Sequence, residues 1–216
     1  MPNYYIFFGA PGSGKGTQVV QLAERLLLPV ISTGDLLRQE TEAGSDLGKR
    51  VQAVMASGQL VDDQTVAELV RNRLLLPDAV SGAIFDGYPR RLSQQEYLLA
   101  IISPLVGTGK IVPILIDVSD TEVESRLSGR RACLCGATYH LKYKVPQQEN
   151  ICDICGQTLF QREDDKPEVI NERLQVYHEQ VEPVLTYWRD QNKLITINGE
   201  QPIDSVTREL FGKIEQ

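Results

Sequence analysis

The chain alternates short apolar runs with amphipathic stretches, and that alternation predicts its elements. Tyr4-Tyr5-Ile6-Phe7-Phe8 is unbroken, aromatic and β-branched, the pattern of a strand covered on both faces. Similar short runs stand at 28–31, 83–85, 111–116 and 194–197. Pro113 makes the 111–116 strand imperfect, since proline donates no ladder hydrogen bond. Helical periodicity fills the intervals. Residues 17–28 place Val20, Ala23 and Leu27 on one face, and Val66, Leu69, Val70 and Leu74 share a face of a helix capped by Asp62 or Asp63. Further helices are expected at 47–56, 94–102 and 203–214, and another opens at Ser32 or Thr33. Ser119-x-x-Glu122 reads as a capping box for a helix bearing Val123 and Leu127. Pro167 reads as a first-turn residue of a helix over 167–190, in which His178 and Trp188 are core or surface residues. Strands alternating with helices predict an α/β domain with a parallel sheet covered on both faces.

Two stretches depart from this alternation. Residues 32–61 are helical throughout and form a small insertion between the second and third strands. Residues 129–166 change to cysteines, glycines, tyrosines and charges. No internal repeat or low-complexity segment is seen.

The first strand runs into Gly9-Ala10-Pro11-Gly12-Ser13-Gly14-Lys15-Gly16-Thr17, with the G-x-x-x-x-G-K spacing of a phosphate-binding loop. Strand, glycine turn and helix start are the context that such a loop requires. Glycines at positive φ turn backbone N–H groups inward, the helix N-terminus adds partial positive charge, and Lys15 supplies a full one. The general motif places Ser or Thr directly after the lysine, to touch Mg²⁺. Here that position is Gly16, and the hydroxyl comes one residue later at Thr17. Two arrangements stay open, a Thr17 hydroxyl on the ion or an ion held largely through its waters. Asp86, at the end of the 83–85 strand, is placed where a metal-steering carboxylate belongs, or serves the Gly87 turn.

At 216 residues the chain suffices for one core with insertions. A net charge of −7 argues against a nonspecific nucleic-acid binder. No secretory hydrophobic region opens it, and no apolar run is long enough for a bilayer span, so a cytoplasmic protein is expected. Within this acidic chain, Arg38, Arg90, Arg126, Arg130, Arg131, Arg162 and Arg173 stand near glycine turns. Arginine suits phosphate, because its planar fork binds oxygens bidentately and stays charged. Arg126 has a competing structural partner in Glu122, four residues earlier.

The four cysteines pair as Cys133-Leu134-Cys135-Gly136 and Cys152-Asp153-Ile154-Cys155-Gly156. Two close pairs, each followed by glycine, resemble the two knuckles of a structural Cys₄ zinc site. The intervening loop is poor in large apolar residues, so a metal staple would replace a core. A metal-free segment and a disulfide are the alternatives. His140 is either an additional ligand or a packed strand residue.

Five segments now stand together in order: Gly9-x-Pro11-Gly12-x-Gly14-Lys15-Gly16-Thr17-Gln18, Ser32-Thr33-Gly34-Asp35-x-x-Arg38, Asp86-Gly87-Tyr88-Pro89-Arg90, Gly129-Arg130-Arg131 and Arg162-x-Asp164-Asp165. Over essentially its whole length the chain resembles the adenylate kinases, the long bacterial type with a cysteine-bearing lid. The resemblance implies a three-layer P-loop core over 1–216, with a parallel sheet flanked by helices. It also implies a nucleoside monophosphate (AMP) insertion at 32–61 and a zinc-ribbon-like lid at 129–166. The implied reaction is reversible phosphoryl transfer, ATP and AMP giving two ADP, in adenylate energy homeostasis. A monomer is implied, with Mg²⁺ accompanying ATP, small nucleotides as the partners, and neither nucleic acid nor membrane. Position by position, Lys15, Asp86, Arg90, Arg126, Arg130, Arg162 and Arg173 would serve the transferring phosphoryl group. ATP would meet Gly12, Ser13, Gly14, Lys15, Gly16 and Thr17, then Arg126, Arg130, Thr138, Tyr139 and Gln201. AMP would meet Thr33, Gly34, Arg38, Gln59, Leu60, Val61, Gly87, Tyr88, Arg90, Gln94, Arg162 and Arg173. Gln94 would read adenine's edge, where the plain reading is a solvated polar residue at a helix start. Cys133, Cys135, Cys152 and Cys155 would hold the zinc. Here the chain departs from the family pattern, with C-x-C in place of C-x-x-C in the first pair.

Other readings are narrower. A kinase for UMP, CMP or GMP would use the same scaffold, and Thr33 with Gln94 favours AMP. A GTPase-like switch needs N-K-x-D, but Asn192-Lys193 is followed by Leu194-Ile195. A zinc-ribbon nucleic-acid binder lacks a dense basic run.

Overall fold

A computed structural model describes residues 1–56, 61–161, 165 and 167–215. In chain order the elements are β1 (Asn3–Phe8), α1 (Lys15–Leu26), β2 (Val30–Ser32), α2 (Thr33–Ala43), α3 (Asp46–Ala56) and α4 (Asp63–Leu74). There follow β3 (Gly82–Asp86), α5 (Leu92–Val106), β4 (Ile111–Asp117), α6 (Asp120–Gly129), β5 (Arg130–Ala132) and β6 (Thr138–His140). The last are α7 (Pro167–Asp190), β7 (Ile195–Asn198) and α8 (Ile203–Ile214).

Five strands form one parallel sheet in the order β2-β3-β1-β4-β7. The unbroken run in β1 is explained by its alternation. Tyr4, Ile6 and Phe8 enter the core shared with α4, α5 and α7, while Tyr5 and Phe7 enter the one shared with α1 and α8. A central strand buried on both faces has no polar side to show. Pro113 is accommodated because the β4–β7 ladder begins only at Ile114, so Pro113 has its partner, Ile6, on the β1 side alone. The expected α/β architecture is therefore observed.

Several local expectations are corrected. The first helix begins at Lys15 and buries Val19 and Leu22, while Val20 is 53% and Leu27 87% exposed. Apolar residues there permit two helical phases, and packing on the sheet selects the one through Val19, Leu22, Ala23 and Leu26. Leu27 ends the helix in the left-handed region at φ 55°. Ser119 occupies the N-cap of α6, but the capping box does not form. The Ser119 hydroxyl and backbone N–H both donate to Glu200, at 2.5 and 2.9 Å, and Glu122 accepts from Arg126 at 2.7 Å. A charged partner one turn away outcompetes the backbone. Helix α5 continues past 102 through Pro104. In α7, Trp188 is core and His178 is an exposed partner of Asp120 at 2.9 Å.

Asp62 is the N-cap of α4. Its carboxylate accepts the Thr65 backbone N–H at 2.9 Å and the Thr65 hydroxyl at 2.8 Å, and these bonds hold its pKa below the ordinary value. Asp62→Ala should lower unfolding stability by about 1 kcal/mol in urea titrations at neutral pH. A carboxyl with a depressed folded-state pKa stabilises above its unfolded pKa, and that stability fades as pH falls through the folded value. The difference between the two proteins should therefore shrink below about pH 4.

Candidate active site

The loop between β1 and α1 leaves the carboxyl end of the central strand, where a parallel sheet opens its binding crevice. Gly12 (φ 81°) and Gly14 (φ 89°) both adopt the left-handed region, and Gly14 is the N-cap of α1. A Cβ on Gly12 would lie 2.9 Å from Leu127, so packing as well as φ demands glycine. At Gly16 a Cβ would meet nothing within 4 Å, which leaves open space beside the first turn of α1.

Neighbouring strands bring the second group to the same place. The β1–β3 register pairs Phe7 with Asp86, so the carboxylate stands beside the start of the loop. Lys15 Nζ donates to Asp86 Oδ1 at 2.5 Å. Arg126, in the last turn of α6, donates to Glu122 at 2.7 Å and to the carbonyls of Ser13 and Gly199 at 3.3 and 2.9 Å. It thereby ties the loop to the turn after β7. Arg130 grips the Asp165 carboxylate with two nitrogens, Nε at 2.7 Å, and Arg173 reaches the same carboxylate at 3.1 Å. Asp165 is 0% exposed.

All of these groups but the buried Asp165 line one cleft of about 1410 Å³. Of the residues singled out in the sequence, it contains Gly12, Ser13, Gly14, Lys15, Gly16, Thr17, Asp86, Gly87, Arg90, Arg126, Arg130, Thr138, Tyr139, Arg173 and Gln201. The Tyr139 hydroxyl turns away, accepting the Asp153 N–H at 2.8 Å and lying 3.5 Å from Cys152 Sγ. Arg90 donates to the Gly87 carbonyl at 2.9 Å, and Gln201 to the Asn198 carbonyl at 3.1 Å.

Other expected residues lie outside this cleft. Arg38 pairs with Asp35 on the exposed α2, its guanidinium 3.4 Å from where a Cβ on Gly34 would be, next to Thr33 at the helix start. Val61 packs against the core cluster beneath α4. The Tyr88 side chain is buried and donates to the Gln94 carbonyl at 3.3 Å. Gln94 is 8% exposed, which corrects the solvated reading. Arg131 turns back onto the carbonyls of Ser128 and Arg130. Gln59, Leu60 and Arg162 lie outside the described residues.

Sequence reasoning paired Arg126 with Glu122 and left His140 between two roles, but it missed Tyr143 and the part played by Asp165. Glu122, Tyr143 and Arg126 form a cluster, with the Tyr143 hydroxyl 3.3 Å from Glu122 and Arg126 5.8 Å from the tyrosine ring. His140 stacks on Tyr143 at 4.5 Å, accepts the Lys142 N–H at Nδ1, and stands apart from the cysteines. Asp165 was visible only as one acid among several in its motif.

The two cysteine pairs converge. All four Sγ atoms lie within 4.8 Å of one another, Cys133 to Cys155 at 3.3 Å and Cys135 to Cys152 at 3.6 Å. The four are free thiols. A tetrahedral zinc with ~2.3 Å bonds sets its sulfurs roughly 3.8 Å apart, so the donor set fits such an ion. Contact with the Tyr139 hydroxyl lowers the pKa of the Cys152 thiol, while burial and the neighbouring sulfurs raise those of Cys133 and Cys155.

A phosphate loop at the crevice of a five-stranded parallel sheet, faced by converging arginines, defines a P-loop kinase of the nucleoside monophosphate class, a phosphotransferase. The family described as "Adenylate kinase" matches residues 7–193. The adenylate kinase of Caldicellulosiruptor saccharolyticus is 44% identical over 208 residues, covering 95% of this chain and 96% of that protein. The adenylate kinase of Methanococcoides burtonii is 40% identical over 211 residues, 98% of each chain, and that of Petrotoga mobilis 44% over 207 residues, 95% and 94%. The chain belongs to the adenylate kinase family. Adenylate kinases use Mg²⁺ with ATP. Among the described residues, no helix is long and apolar enough to cross a membrane.

Proposed function

We propose that this protein transfers a phosphoryl group between ATP and AMP, giving two ADP, as a cytoplasmic monomer. The observation that carries this reading is the convergence of Lys15, Arg90, Arg126, Arg130 and Arg173 on one cleft around a phosphate loop. The acceptor is itself a phosphate, already anionic at neutral pH, so the chemistry asks for no general base. It asks for positive charge between two mutually repelling anions, and for exclusion of water.

The loop backbone of Gly12 to Thr17 cradles the ATP phosphates, with Lys15 at the terminal one. Arg126, Arg130 and Arg173 neutralise the transferring group, and Arg162, from the Arg162-x-Asp164-Asp165 motif, joins them. Asp86 and the Thr17 hydroxyl line the cleft next to the open space at Gly16, and these residues fit a hydrated Mg²⁺. Bound with ATP, that ion would offset charge on the β and γ oxygens. Thr138 and Tyr139 meet the ATP base from a lid spanning 129–166, and Gln201 meets it from the core. AMP is held by an insertion at 32–61 through Thr33, Gly34, Arg38 and the backbone of Gln59, Leu60 and Val61. Gly87, Tyr88 and Arg90 complete its phosphate side, and Gln94 contacts its base. A structural zinc held by Cys133, Cys135, Cys152 and Cys155 takes the place of a core in the lid. Four thiolates leave no open position for catalysis.

A coupled assay across AMP, GMP, UMP and CMP should give the highest kcat/KM with AMP; faster turnover of GMP or UMP would sink the assignment. Lys15→Met should lower kcat by at least about a hundredfold with an unchanged circular dichroism spectrum. Near-normal turnover in that variant would remove Lys15 from the mechanism. Protein purified without chelator should carry about one zinc per chain and melt at lower temperature once the metal is stripped. Full thiol titration with no metal and unchanged melting would show a lid that folds unaided.

A further inference from the structure

We infer that Asp63 makes the enzyme prefer adenine over a 6-oxopurine, by locking the side-chain amide of Gln94 in one of its two orientations. The inference rests on the reading of Gln94 as the base contact.

A glutamine amide can be turned end for end with almost no change of shape, exchanging its donor for its acceptor. Gln94, in the first turn of α5, has two partners that forbid the exchange. The Arg90 backbone N–H can only donate, and it does so to Gln94 Oε1 at 2.9 Å. The Asp63 carboxylate can only accept, and it takes the Gln94 Nε2 proton at 2.9 Å. Turning the amide over would set Oε1 against a carboxylate and the NH₂ against an N–H, two repulsions in place of two bonds. With Gln94 only 8% exposed, water has little room to soften them.

The lock is itself held. Asp63 begins α4, and its carboxylate also accepts from Arg91 Nη2 at 2.7 Å and from the Ser93 hydroxyl at 2.6 Å. Arg91 and Gln94 share Oδ1, while Ser93 takes Oδ2. Three residues at the start of α5 are thus tied to the start of α4 through one side chain.

Once these bonds are made, the amide retains one N–H and one lone pair, of fixed sense. Adenine presents a ring acceptor, N1, beside an exocyclic donor at position 6. Guanine and hypoxanthine present the reverse, a ring N1–H beside an acceptor oxygen. An amide that cannot turn over complements only one of these edges. Gln94 alone would serve either kind of purine, and its selectivity comes from Asp63 and the Arg90 N–H. Asp63 is therefore a positioning residue, not a catalytic one.

The test compares AMP with inosine monophosphate, which carries guanine's edge without its 2-amino group, so bulk at position 2 does not enter. In the full-length enzyme, Asp63→Ala should lower the AMP to IMP ratio of kcat/KM by about tenfold, chiefly through KM. Asp63→Ser, which fills the same helix-start position with a hydroxyl that serves as donor or acceptor, should give a similar fall if the alanine variant folds poorly. Asp63→Asn should keep the ratio within about twofold, because Arg91 holds its carbonyl oxygen at the Oδ1 position. A role confined to helix stability would instead lower both substrates alike in step with the melting temperature, and that result overturns the lock. Gln94→Ala separates the two layers. If it shifts the ratio while Asp63→Ala and Asp63→Ser do not, Gln94 reads the base but Asp63 does not set its sense. If Gln94→Ala leaves the KM for AMP and the ratio unchanged, the base-contact reading itself fails.

Discussion

The site proposed to neutralise phosphates holds its cations in place with carboxylates. In the cleft Lys15 rests on Asp86, Arg126 on Glu122, and Arg130 with Arg173 on Asp165, while outside it Arg38 rests on Asp35. Like charges converging on one cleft would otherwise repel one another and swing into water. The acidic balance of the chain, −7 overall, thus coexists with a cationic site because acids are distributed among its arginines. Each carboxylate fixes where its cation waits.

Burial divides these carboxylates into two kinds. Asp86, Glu122 and Asp35 keep part of their side chains in solvent, at 24%, 27% and 58%. An exposed pair such as Arg38–Asp35 contributes about 0–1 kcal/mol, and the half-buried pairs of Asp86 and Glu122 stand between that and a buried one. Asp165 has no solvent at all, and two guanidiniums, the Arg130 fork and Arg173, make it a fixed strut between β5 and α7. Breaking a buried pair leaves a charge uncompensated and costs several kcal/mol. The partly exposed acids are therefore suited to yield their cations, and Asp165 to keep Arg130 and Arg173 at a constant spacing.

The legible part of this design lay in short-range pattern. The phosphate loop followed from glycine spacing between a strand and a helix, and the parallel sheet from apolar runs alternating with helices. Both depend on residues within about ten positions of one another. What escaped depends on residues brought together by the fold. Val20 and Leu27 were placed on the buried face because local periodicity admits two phases, and only the sheet chooses between them. Ser119 and Glu122 have the spacing of a capping box, but Glu200, 81 residues from Ser119, takes the hydroxyl. The pairs Asp63–Gln94 and Arg130–Asp165 span 31 and 35 residues and leave no local trace. A carboxylate's partner cannot be read from its neighbours in sequence.

The cysteine-bearing segment carries the same logic to its limit. Its sheet has two strands of three residues, and its buried cluster is Cys133, Tyr139, Cys152 and Leu159. An isolated two-stranded hairpin is marginal in water, and four residues bury too little apolar surface to hold one. Two members of that cluster are themselves cysteines, so the thiols occupy the place of a core. Leu134, at the tip of the tight first knuckle, is exposed and adds nothing to the packing. Arg130 and Thr138 sit on these strands, and both face the phosphate cleft. Whatever fastens the thiols together therefore also fixes the cation that the cleft receives from this segment. The four converged thiols are compatible with a tetrahedral ion in that role, the fastening proposed above.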